Sequence, residues 1–199
     1  MRSSETIGMN NHPGLWPARL AVAAVLTALA ACGSDPADED ACGAMTSERQ
    51  RWSGNGHYYQ VVLLSGVTWP QANDLAAALP GSWYLATVTS ADESAFVEGL
   101  LRAGQPYFTN ECGMSNLVGR VCGGIWLGAL SPSASAQVWQ WVTGEPFAFA
   151  HWGPLEPFRN GDRVRIDEFR DRGVIAWNDA PAALPSTGYI IETETLCDD

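Results

Sequence analysis

The chain contains no lysine. All 11 of its basic residues are arginine, set against 22 Asp and Glu for a formal net charge of −11. So acidic a chain lacks the clustered cations that a phosphate backbone requires, which argues against nucleic acid as a partner. Histidine is scarce, with three residues in the chain. His57 and His151 stand alone, without the spacing of metal ligands, and no Cys-x-x-Cys pair is present. The chain also lacks a His-Glu-x-x-His helix, a Gly-x-Ser-x-Gly elbow, a phosphate-binding loop and a dinucleotide fingerprint, so no enzymatic activity is expected. The apolar run at residues 20–31 is too short for a permanent bilayer span.

What is present bounds the fold. With 199 residues, 46% of them hydrophobic, the chain suffices for one domain with a real core plus tails. Residues 1–31 read as an export signal, with Arg2 and Arg19 ahead of the apolar run and small residues before Cys32. Leu29-Ala30-Ala31-Cys32 resembles the bacterial lipobox, which implies lipidation of Cys32, a membrane anchor and residence at the cell envelope on its periplasmic or outer face. Residues 32–54 follow as an acidic tether and N-terminal segment, and residues 55–199 form the domain. An exported chain favours disulfides. Apart from Cys32, the cysteines at 42, 112, 122 and 197 allow three pairings. The simplest is a local staple Cys112–Cys122, with Cys42–Cys197 joining the domain's ends.

Periodicity divides the domain into two parts. Residues 55–64 are aromatic and β-branched, as a strand requires. Thr68 caps a helix that carries Pro70 in its first turn and a buried stripe of Ala72, Leu75, Ala76 and Leu79; Pro80-Gly81 ends it. A short strand is expected at 83–88. Ser90-Ala91-Asp92-Glu93 is a capping box that opens a second helix through Phe96, Val97, Leu100 and Leu101, and Gly104-Gln105-Pro106 stops it. Beyond it only short β-prone runs remain, at 125–130, 138–142, 164–166, 174–177 and 189–193. Two helices followed by short strands give an α+β domain. The irregular stretch from about 129 to 162 is too long for a plain connector, which marks it as functional.

Aromatic and acidic residues punctuate this second half: Trp126-Leu127-Gly128, Trp139-Gln140-Trp141, His151-Trp152, Glu156-Pro157-Phe158, Trp177-Asn178-Asp179 and Gly188-Tyr189-Ile190-Ile191-Glu192. Trp126, Trp139, Trp141 and Trp177 read as core, because tryptophan contributes mainly buried area. Trp152 and Phe158 lie within the irregular stretch, where a ring can stack on a ligand.

From residue 57 to 192 this ordered series resembles the C-type lectin-like domain. The resemblance implies two helices flanking short antiparallel sheets, with a long irregular loop. It implies a calcium ion held by Glu156, Asn178 and Asp179, with Asp162 as a further ligand. Calcium accepts about six to eight oxygens, which leaves room for sugar hydroxyls. The ligand surface so implied comprises Glu156, Asn178, Asp179, Trp152 and Phe158, and carbohydrate is the implied partner. The family's Glu-Pro pair also implies a cis Glu156–Pro157 bond. Phe158 stands where sugar-binding members carry Asn or Asp, Ile191 where many carry Cys, and Arg159, Arg163 and Arg165 place positive charge nearby. These departures point to an alternative on the same fold, a metal-independent module that binds a surface protein.

Overall fold

The computed structural model describes residues 49–103, 108 and 112–196. The export signal (1–31), Cys32, most of the tether, the Cys42–Cys197 pair and the stop at 104–106 lie outside them.

Strand β1 (Gln50–Arg51) pairs with β2 (Tyr58–Val67). Helix α1 (Trp69–Ala77), strand β3 (Tyr84–Leu85) and helix α2 (Ala91–Ala103) follow. The second half holds β4 (Cys112–Ser115), β5 (Gly119–Leu130), β6 (Gln140–Trp141), β7 (Arg163–Phe169), β8 (Val174–Ala180) and β9 (Ser186–Thr193). All nine strands form one sheet with the path β1-β2-β9-β5-β7-β8; β3 joins β9, and β4 and β6 join β5. Every pairing is antiparallel except β5 with β9. The short antiparallel sheets expected from the sequence are thus one continuous mixed sheet. Among the described residues, no helix is long and apolar enough to cross a membrane.

The two central strands are buried on both faces. On β5, Ile125 and Leu127 join one core while Trp126 joins the other; on β9, Ile190 joins the first while Tyr189 and Ile191 join the second. This is the period-two alternation of a strand sandwiched between layers. Helix α2 contributes Val97 and Leu101 to the first core, and α1 contributes Trp69, Ala72 and Ala76 to the second. Leu75, expected in the α1 stripe, is 42% exposed instead. The larger Trp69 takes the anchoring role, its indole N–H donating to the Leu127 carbonyl at 2.8 Å.

At α1, the Gln71 amide oxygen accepts from the Thr68 backbone N–H at 3.0 Å, as a capping residue should. At α2 only half of the expected box forms. The Glu93 N–H reaches the Ser90 hydroxyl at 3.2 Å, but the Glu93 carboxylate turns to the N–H and hydroxyl of Thr89. A disulfide joins Cys112 to Cys122 across the β4–β5 hairpin, where the two residues face each other in register.

Candidate functional site

The long stretch between β5 and β7 is ordered by aromatic packing. Trp139, Phe147 and Trp152 cluster with Trp177 of β8; Trp152 lies 5.2 Å from Trp139 and 5.9 Å from Trp177, ring centre to ring centre. Trp141 and Phe149 meet Trp177 edge-on. Such contacts between buried rings add specific geometry to plain area burial. Trp152 is therefore a half-buried wall of this cluster and not a free stacking platform. The backbone supports the arrangement: Trp177 N–H donates to the His151 carbonyl at 2.8 Å, and Gly153 N–H donates to the Trp177 carbonyl at 2.8 Å.

From Gly153 the chain makes a tight loop that returns to the sheet at Gly161. Both ends press too closely on the body of the protein for a side chain. A Cβ on Gly153 would lie 2.3 Å from the Phe169 ring, and one on Gly161 would lie 2.1 Å from the Ala180 nitrogen. Between them, Glu156–Pro157 is a cis peptide, and Leu155 and Arg159 hold left-handed backbone angles of φ 67° and 66°. A non-glycine residue in that region costs about 1–3 kcal/mol, and such residues concentrate at binding loops.

Asp179 holds this loop shut. It is 1% exposed, and its two carboxylate oxygens accept from the Phe158 N–H at 2.6 Å and the Gly161 N–H at 2.7 Å. Hydrogen bonds to a charged acceptor are among the stronger ones, and burial raises the penalty for losing them. Glu156 lies beside it, one carboxylate oxygen also accepting from the Phe158 N–H at 3.0 Å. Burial, followed by the hydrogen bond to Asp179 and the nearby charges of Asp179 and Asp167, pushes the Glu156 carboxyl up to about 7. Glu156 therefore keeps its proton well above the usual carboxylate range, beside an Asp179 whose oxygens accept from the loop amides.

Asn178, adjacent to Asp179 on β8, engages a different set. Its carboxamide donates to Asp167 of β7 at 2.6 Å, and Arg165 donates to the same carboxylate at 3.1 Å. Asp167 is completely buried; burial raises its carboxyl above the ordinary range, against the Arg165 charge and the Asn178 bond. Asp162 caps the far side, accepting from the Ala182 N–H at 3.1 Å and pairing with Arg163 at 3.1 Å. Phe158 sits in the loop 56% exposed, and Leu155 is 61% exposed. Sequence reasoning passed over Asp167, because the run expected at 164–166 ends one residue before it.

The structure thus brings Glu156 and Asp179 together and gives Asn178 and Asp162 other partners. This donor set does not fit a calcium ion as arranged. Asp179 spends both oxygens on backbone N–H groups, Asp162 and Asp167 are paired with arginine, and Phe158 supplies no oxygen. Among the described residues, no three His, Cys, Asp or Glu side chains are grouped to hold a metal.

No protein-family model matches the sequence. Over 132 residues the chain is 30% identical to human C-type lectin domain family 4 member G, a match that spans 65% of this chain and 37% of that protein. In three dimensions it superposes on the C-type lectin CEL-I from Cucumaria echinata with a TM-score of 0.56 and 20% identity, covering 73% of this chain and 94% of the other. It also superposes on SPL-1, solved as a complex with GlcNAc, with a TM-score of 0.54 and 22% identity over 74% of this chain and 93% of the other. The chain therefore has the C-type lectin fold, an α+β domain of two helices on a curled mixed sheet with a long ordered loop.

Proposed function

We infer that this domain binds carbohydrate through the loop at residues 153–162, and that it does so without a metal ion. One observation carries the reading. Asp179 closes the loop on two backbone N–H groups, and that closure presents the exposed ring of Phe158 between the left-handed Leu155 and Arg159. A rigid aromatic face beside polar groups suits a sugar, whose C–H face packs on the ring while its hydroxyls seek hydrogen bonds. Closure ahead of binding also lowers the ordering cost that the ligand must meet. The GlcNAc complex of SPL-1 supports carbohydrate as the ligand class. The calcium dependence implied by the sequence resemblance is left out of this reading, because the carboxylates it needs already serve the loop.

Glycan-array binding of the purified protein, run in chelator and again in calcium, tests this. Binding in chelator that is lost on Phe158→Ala supports the reading; binding only in calcium contradicts it. A second reading rests on the exposed Leu155 and Phe158 together, an apolar pair that also suits a protein surface. It is favoured if no glycan binds and an envelope protein is captured in a Phe158-dependent way.

The reading also places the domain on the cell envelope, tethered through a lipid on Cys32, supported by the Leu29-Ala30-Ala31-Cys32 sequence. Labelled fatty acid should be incorporated by the intact chain and not by Cys32→Ser; equal labelling of both contradicts the anchor.

A further inference from the structure

A second acidic cluster lies in the core. Tyr59 of β2, Glu93 of α2 and Glu192 of β9 are each at most 1% exposed. The Tyr59 hydroxyl contacts one oxygen of Glu93 and, at 2.8 Å, one oxygen of Glu192. It also accepts from the Asn55 carboxamide at 2.8 Å. The remaining carboxylate oxygens are already served. Glu93 takes the Thr89 N–H at 2.7 Å and its hydroxyl at 3.0 Å, and Glu192 takes the Thr87 N–H at 2.9 Å.

Proton counting then constrains the cluster. A phenol offers one hydrogen and two lone pairs. Asn55 fills one lone pair, and the single hydrogen serves one carboxylate. The remaining contact pairs the phenol's second lone pair with a carboxylate oxygen, and it is attractive only if a hydrogen lies between them. We propose that the folded chain carries one buried proton at neutral pH, held jointly by Glu93, Glu192 and the Tyr59 hydroxyl, and that this proton fastens helix α2 to strands β2 and β9. The proton belongs to the coupled group and not to one carboxyl.

The surroundings agree. Burial raises Glu192, in opposition to its bonds from His57, Thr87 and Tyr59, and the Glu93 charge raises it further. Burial, then Glu192, also drives the Tyr59 phenol far above its ordinary range, so the phenol remains a donor. Three sides supply the facing titratable groups. The His57 ring nitrogen lies 2.7 Å from Glu192. Glu145 lies 2.9 Å from the Thr87 hydroxyl, which is itself 3.1 Å from Glu192. Tyr84 lies opposite Glu192 in the β3–β9 ladder, where Glu194 also acts on it. Only His57 can add positive charge, so removing the proton leaves two buried carboxylates to repel each other across one phenol.

The raised Glu192 carboxyl stabilises the fold at low pH, and that contribution fades as pH climbs through its folded-state value. The test uses infrared absorption of protonated carboxyl groups in the intact chain, in chelator at neutral pH, with Glu156→Gln as background so that the loop carboxyl adds nothing. Glu93→Gln keeps a neutral donor and should fold. It should lower the protonated-carboxyl signal by about one group per chain and abolish the cluster's share of the pH dependence. An unchanged signal overturns the proposal. Independently of that variant, unfolding of the Glu156→Gln chain at neutral pH should release about one proton from the cluster, and release of none overturns it too.

Discussion

Two pairs of carboxyl groups meet in this molecule, and they are closed in opposite ways. In the loop, Asp179 meets Glu156 and satisfies backbone donors at Phe158 and Gly161, 21 and 18 residues away along the chain. In the core, Glu93 and Glu192 meet across the Tyr59 phenol, with further donors from the 87–89 segment. The loop pair therefore fixes a local shape, and the core pair fixes how a helix sits on a sheet. The difference shows that nearby acids alone do not make a cation site. Where N–H and O–H donors reach the carboxylates first, the cluster is complete without metal.

The largest expected effect is on the core side. Glu192→Ala removes the acceptor of the buried Thr87 N–H and leaves a gap beside the Tyr59 hydroxyl, and should lower global stability by about 3 kcal/mol, read by denaturant unfolding. Asp179→Ala should cost about 2 kcal/mol, and its effect should be local. Limited proteolysis should then cut within residues 153–162 while the core strands keep their amide protection. Equal, global losses for the two variants would erase the distinction between the pairs. Next comes pH. The Glu156 carboxyl sits at about 7, above its ordinary 4.5, so its stabilising share is present below 4.5 and lost as pH rises toward 7. Thermal unfolding of Glu156→Gln should show a flatter profile across that window than the unaltered chain. The smallest effect on stability belongs to Phe158→Ala, within about 0.5 kcal/mol, because the ring is mostly in solvent. Ligand binding should nonetheless be lost.

Much of the fold was legible because its signals are local. Thr68 and Pro70 announce one helix start, and the short β-prone runs mark the strands that carry Trp126 and Trp177. The Glu156-Pro157 pair marked the loop, and the cis bond implied by the family resemblance is present. What could not be read depends on contacts far apart in sequence. Glu93 looked like half of a capping box, yet its partners Tyr59 and Thr89 come from a strand and a connecting segment. The resemblance implied that Asn178 and Asp179 act as one ligand pair, while the fold gives the first to Asp167 and the second to the loop amides. Leu75 fitted a helical stripe, but the bulk of Trp69 had already set which face of α1 is buried.

Asp179 closes the loop without a metal ion. Amide hydrogen exchange at Phe158 and Gly161, measured in chelator, tests it most directly. Both amides should be protected without metal and should lose protection in Asp179→Ala. Fast exchange in chelator that slows only when calcium is added would contradict the account.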